Sequence, residues 1–185
     1  KRGDTIAYNN EIRNALMNRR IDVDTKLSIF STYIVGLMKK KQELNRVDSL
    51  FAEMLEQYPQ EEPVHRLFGM YLSSRKDFFR AEEQYAIAAD LAPTNPENWL
   101  QLIGLYLYQE KYAEVIRVGK RAIQYVPDQK DIYMYVAVAS AQTKSYDEAL
   151  SMLETGLNYV EENDAGTKSF FYGQMGDVYH SAGDK

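Results

Sequence analysis

The 185-residue chain has no cysteine, only two histidines and a single tryptophan. Without cysteine there is neither a disulfide framework nor a thiolate metal site, and the redox compartment stays open. No apolar run approaches the ~20 residues that a membrane-spanning helix needs, so direct membrane insertion is not expected, and no signal-peptide pattern is read in the chain. The motifs H-E-x-x-H, G-x-S-x-G and G-x-x-x-x-G-K do not occur, which removes the usual sequence support for zinc-protease, serine-hydrolase and phosphate-loop chemistry. Basic residues are outnumbered, with 22 Lys and Arg against 27 Asp and Glu, a net charge of −5 and a pI near 5.2. Nucleic acid is therefore not an expected partner, because phosphate binding needs a clustered basic surface. The one basic run, KKK at 39–41, falls where a helix is predicted to end, and cations there suit the negative end of the dipole.

Prolines are few but regularly placed. Pro59, Pro93 and Pro127 stand 34 residues apart, in the contexts EQYPQEE, DLAPTNP and QYVPDQK. Laid out at that period, His65, Trp99 and Tyr133 share one column, and Ile34, Phe68, Leu102 and Val136 share another. Further columns hold Leu44, Phe78, Tyr112 and Tyr146, then Val47, Ala81, Val115 and Ala149, then Met54, Ala88, Ala122 and Gly156. Bulky residues recur with bulky ones and small with small. A period of this length holds a helix, a turn, a second helix and a turn, and stacked units of that kind bury a continuous core. The content of 45% hydrophobic and 12% aromatic residues is ample for one.

These columns resemble the tetratricopeptide-repeat pattern W-x2-L-G-x2-Y, A-x3-F, P. Residues 62–129 carry it best, through Phe68, Gly69, Leu72, Ala81, Tyr85, Ala88 and Pro93, then Trp99, Leu102, Tyr106, Ala122 and Pro127. The resemblance implies an all-α fold, a right-handed superhelical solenoid of stacked antiparallel helix pairs. Repeats are expected at 28–61, 62–95, 96–129 and 130–168, with a partial one at 169–185, making 25–185 one array. Residues 1–24 are expected to form the helix of a degenerate preceding repeat or a cap, with Ile12, Leu16 and Met17 on one face and Asp24 capping the next helix. Val35 and Ile103 depart from the pattern where the two helices cross closely, Gly119 replaces its aromatic, Glu161 replaces the fourth proline, and ENDAG near 163–166 lengthens the last full repeat. A chain opening KRGDT and ending inside a repeat is expected to be a segment of a longer protein, bacterial in repeat style. The style resembles extracytoplasmic or lipoprotein-associated arrays, so a cytoplasmic and a periplasmic setting both stay open.

The stretch PTNPENW at 93–99 admits two readings, a P-x-x-P ligand for an SH3-like domain or the join between two helices. The period favours the join, with Pro96 in a first turn where its missing N–H costs nothing. RGD at 2–4 matches the adhesion tripeptide in spelling only. Asp22 and Asp24 read as helix-cap residues rather than metal ligands, and EENDAG at 161–166 as an inserted loop rather than a calcium loop. His65 shares the Trp99 column and reads as packing, while His180 stands alone. Of fifteen tyrosines, Tyr85, Tyr106, Tyr112, Tyr125, Tyr133, Tyr146, Tyr159, Tyr172 and Tyr179 fall in columns that the repeat buries. No catalytic residue, metal site or cofactor is expected.

What remains is a binding surface on the first helix of each repeat, the concave lining of such solenoids. Helical spacing places Arg66, Met70, Ser73, Leu100, Gly104, Leu107, Tyr108, Met134, Val138 and Gln142 on it. Thr32, Gly36, Lys39, Lys40, Ser74, Glu97, Asp131, Ala141, Phe170, Gly173, Asp177 and His180 extend it. The positions matching the family's Lys/Asn/Arg carboxylate clamp hold Thr32, Gly36, Arg66, Met70, Leu100 and Gly104, so the clamp is absent and the middle is apolar. That composition suits a partner peptide or helix. The expected function is a non-enzymatic protein-interaction scaffold. The alternative is a regulatory or substrate-recognition module of a larger enzyme or sensor, and self-association is a third expectation.

Overall fold

The computed structural model describes residues 2–39 and 45–183, and among them every regular element is an α-helix. The chain divides into two compact units, one through Leu91 and one from Ala92. The first contains α1 (Arg2–Met17), α2 (Val23–Lys39), α3 (Asn45–Gln57), α4 (Glu62–Ser74) and α5 (Phe78–Leu91). The second contains α6 (Pro96–Tyr108), α7 (Tyr112–Ile123), α8 (Lys130–Gln142), α9 (Tyr146–Leu157) and α10 (Ala165–Ala182).

Helix starts follow local chemistry. Pro96 opens α6 and Asn95 caps it, its side chain accepting from the Glu97 N–H at 3.1 Å. The PTNPENW segment is thus a helix start. Asp164, inside the inserted loop, caps α10 by accepting from the Thr167 N–H at 2.9 Å, and the hydrogen bonds from Thr167 hold its carboxyl below the usual range. The cap of α2 differs from expectation. Asp22, not Asp24, accepts from the Thr25 N–H and hydroxyl, both at 2.8 Å. Asp24 lies in the first turn, where a carboxylate meets the positive end of the dipole.

Three turns between paired helices are built alike. Lys76, Glu110 and Lys144 occupy the left-handed region at φ 63°, 56° and 61°. Their N–H groups bond the carbonyls of Ser73, Leu107 and Ala141, and the next residues' N–H groups reach back to Leu72, Tyr106 and Ser140 at 3.0, 2.9 and 2.8 Å. This is the Schellman arrangement, which closes the orphan carbonyls of a helix end. Glycine usually holds the left-handed place, and Gly183 does so after α10 at φ 87°. Relief of the left-handed penalty, about 1–2 kcal/mol, outweighs the glycine entropy cost of about 0.5–1 kcal/mol. Lys76→Gly or Glu110→Gly should therefore raise urea-unfolding stability by roughly 0.5–1 kcal/mol, and a loss of stability would contradict the turn geometry.

The first unit's core is aromatic. Phe51 of α3 stacks on Phe68 of α4 at 4.3 Å between centroids and meets Phe30 of α2 at 4.5 Å. Leu16 of α1, Leu50, Met54 and Leu72 complete it, all 2% exposed or less. A β-carbon at Gly69 would lie 2.7 Å from the Tyr85 ring, so α4 and α5 cross too closely there for any side chain. At the positions equivalent to Gly69, Ile103 is fully buried, whereas Val35 is 49% exposed.

The second unit packs Trp99, Ile103, Val115, Ala122, Ile132 and Val136 at its α6–α8 end. Ala137, Ala149, Leu153, Phe171 and Val178 form the core joining α8, α9 and α10. Gly119 stands where the repeat pattern has an aromatic because Val136 of α8 fills that space, 2.2 Å from where a β-carbon would be. Among the column tyrosines, Tyr85, Tyr106 and Tyr133 are buried, but Tyr125, Tyr159, Tyr172 and Tyr179 are exposed. Tyr125 and Tyr159 lie past their helix ends and cover the outer faces of Trp99 and Tyr133. Helix α10 buries Phe171 and Val178 against the unit, so Tyr172 and Tyr179, elsewhere on its circumference, face water.

Candidate functional site

The column of His65, Trp99 and Tyr133 has a common use. Each side chain donates to the carbonyl of the proline six residues earlier: His65 Nε2 to Pro59 at 3.1 Å, Trp99 Nε1 to Pro93 at 2.7 Å, Tyr133 Oη to Pro127 at 2.9 Å. Each bond ties the start of a helix to the turn before it. The Nδ1 of His65 meets the side-chain amide of Gln84 at 2.9 Å, so this histidine is held in the core. Burial, with help from a hydrogen bond to Tyr159, pushes the Tyr133 phenol from about 10 up to about 12. The folded state thus holds this proton to higher pH than the unfolded chain does. The resulting stabilisation is complete below pH 10.0 and is lost as pH rises toward about 12. Alkaline titration of the unfolding midpoint should show this fall, and Tyr133→Phe should flatten it.

The predicted lining residues divide between the two units. In the first, Arg66 is half-buried and pairs with Glu62 one turn earlier at 2.9 Å. Met70 is 45% exposed and Ser73 half-buried. The side chain of Lys39, and all of Lys40 and Lys41, lie outside the described residues. In the second unit α6 presents Leu100 and Leu107 half-buried, Gly104 exposed and Tyr108 68% exposed. No heavy atom stands within 4 Å of a β-carbon at Gly104, so that position is open rather than closely packed. Met134 does not line an open surface. It is 6% exposed and lies in the core cluster with Phe171 and Val178, because α10 covers that flank of α8.

Within the second unit a concavity of about 170 Å³ lies between α8, α9 and α10. Ala137, Val138, Ala141, Leu153 and Val178 make its apolar part, while Gln142, Gln174, Asp177 and Ser181 bring polar groups. Val138, Gln142, Ala141 and Asp177 were legible from helical spacing. Gln174, Val178 and Ser181 were not, although their spacing of three and four along α10 is the signal that places them beside Asp177. Among the described residues no group of three or more His, Cys, Asp and Glu could hold a metal ion, and no helix is long and apolar enough to cross a membrane.

No protein-family model matches the chain, and no curated protein sequence does. Solved structures match its fold. The MamA protein superposes with a TM-score of 0.65 at 15% identity, covering 85% of this chain and 83% of its own. YrrB, described as a TPR protein with an unusual peptide-binding site, gives 0.61 at 14% identity, with 85% and 78% covered. The TPR2B domain of yeast Sti1, solved in complex with pHsp70, gives 0.54 at 20% identity, with 66% and 95% covered. The fold is that of a tetratricopeptide-repeat protein. In this chain the pattern's tryptophan place, held by His65, Trp99 and Tyr133, serves as a hydrogen-bond donor to the preceding proline carbonyl. Helices α6, α8 and α10 carry exposed Glu97, Asp131 and Asp177 together with half-buried Lys130 and Lys168, whereas α7 carries Arg117, Lys120 and Arg121. These basic groups are engaged: Arg117 with Glu114, Lys120 with Glu148, and Arg121 over the Trp99 ring at 5.2 Å.

Proposed function

We propose that the protein is a non-enzymatic scaffold that holds a peptide or helix of a partner protein along the first helices of its repeats. The observation that carries this reading is the exposed apolar row on α6, where Tyr108 is 68% exposed beside half-buried Leu107 and Leu100. An isolated apolar residue on a surface needs no explanation, but a row on one helix face together with a concavity on α8 suits an apolar segment. Two neighbours of the same fold support it: the Sti1 domain is solved with pHsp70 and YrrB is described with a peptide-binding site. In this reading Arg66, Met70 and Ser73 serve the first unit's binding face. Leu100, Gly104, Leu107, Tyr108, Val138 and Gln142 serve the second's, and Met134 supports it from below.

Panning a library of random ten-residue peptides, acetylated and amidated at their ends, against immobilised protein tests the reading. Wild type is expected to retain apolar-containing peptides, and Leu107→Arg/Tyr108→Arg to bind them about tenfold or more weakly, through lost apolar burial. Equal retention by a double variant with unchanged circular dichroism would remove α6 from the binding face.

A further inference from the structure

The concavity on α8–α10 has a chemistry more specific than an apolar groove. At about 170 Å³ it compares with an engineered cavity of about 150 Å³ that accepts a benzene ring, so it takes one side chain. Leu153 is fully buried, Ala137 is 1% exposed and Val178 5%, which makes one wall dry. Asp177, an exposed carboxylate, also lines the concavity. The Gln174 amide donates to its Oδ2 at a long 3.3 Å. Among the described residues no lysine or arginine lines the concavity or pairs with Asp177.

Three classes of guest differ in what they would leave unsatisfied. An acidic side chain would set like charges together. A purely apolar one would cover the dry wall but strip water from Asp177 without replacing its hydrogen bonds. A lysine or arginine satisfies both parts, laying its methylene stem on Val138, Ala141 and Val178 and its head on the carboxylate. The oxygens of the Gln142 and Gln174 amides offer further acceptors for that head.

We infer that this concavity is a specificity pocket for a lysine or arginine side chain of the bound partner segment. The inference rests on the proposed peptide-binding function and names the chemistry of its ligand. The same end-blocked decamer library tests it, read by sequencing the retained pool on wild type, Asp177→Asn and Asp177→Lys. Because Asp177 is exposed, both substitutions should leave the fold intact, as circular dichroism would verify.

The expected result is enrichment of lysine and arginine on wild type, loss of that enrichment on Asp177→Asn, and a switch toward aspartate and glutamate on Asp177→Lys. For one selected peptide, Asp177→Asn should weaken binding about three- to tenfold. Replacing the peptide's lysine by norleucine should cost as much on wild type and little on Asp177→Asn, the signature of a direct pair. Basic enrichment that survives both substitutions would overturn the pocket assignment. A retained pool without basic residues would overturn the inference while leaving the peptide-binding function standing. Retention of no peptide by folded wild type would remove both.

Discussion

Trp99→Ala should destabilise the second unit by about 3–5 kcal/mol, the range for removing a large buried aromatic. Trp99 is 1% exposed, so truncation opens a cavity that α6 and α7 cannot fill without moving. Three directed contacts go with it: the 2.7 Å bond to the Pro93 carbonyl, the stacked Tyr125 ring at 5.9 Å, and the Arg121 guanidinium at 5.2 Å from the indole. Trp99→Phe separates these contributions. It keeps most of the volume but strands the Pro93 carbonyl, and should cost roughly 1–3 kcal/mol, the penalty for an unpaired polar group. Urea unfolding followed by circular dichroism measures both. If Trp99→Phe were as damaging as Trp99→Ala, the donor to Pro93 would outweigh packing. If Trp99→Ala cost under about 1 kcal/mol, the residue would not be the core of its repeat.

Phe51→Ala is the corresponding test of the first unit, again with an expected loss of about 3–5 kcal/mol. Phe51 has no exposed surface and stands at the centre of an aromatic cluster, with Phe30 at 4.5 Å, Phe68 at 4.3 Å and Tyr71 at 5.6 Å. Each aromatic pair adds about 0.5–1.5 kcal/mol beyond area burial, so the loss should fall in the upper part of the range. Phe51→Leu preserves the apolar volume more closely and should cost less than half as much, because the ring contacts go but the cavity is small. A larger loss for Phe51→Leu than for Phe51→Ala would mean that α2, α3 and α4 are not held by this cluster.

The helical class was legible because it rests on a period that many residues repeat. Prolines at 34-residue spacing, small residues set against large, and polar caps at helix starts all act locally, so each leaves its mark in the sequence. What escaped depends on contacts between distant helices or on unusual residues in ordinary roles. Met134 reads as a lining residue from its own helix alone, but α10 covers it. Tyr125 and Tyr159 sit in aromatic columns yet lie past a helix end, where they shield a buried ring from outside and remain 43% and 42% exposed. The left-handed turn residues could not be read at all, since Lys76, Glu110 and Lys144 lack the glycine signature of such turns. Asp22 took the cap expected of Asp24 because the helix begins at Val23, two residues earlier than that reading requires.

The candidate site was legible in kind more than in detail. Periodicity identifies the helix faces that the repeat core does not use, and so it reaches Leu100, Leu107, Tyr108, Val138 and Asp177. It does not tell which of those faces meet. The concavity exists because α10 lies against α8 and α9, a contact that leaves no mark in the sequence of any one helix. The glycine at 119 has the same origin, as its missing side chain is explained only by Val136 of the next helix.

The most direct measurement is amide-shift mapping of the isotopically labelled protein on titration with a selected end-blocked peptide. The account predicts that shifts cluster on α6, α8 and α10, around Leu107, Tyr108, Val138, Gln142 and Asp177, and leave Arg117 and Lys120 of α7 unmoved. Shifts centred on α7 and α9, with the first helices silent, would contradict it.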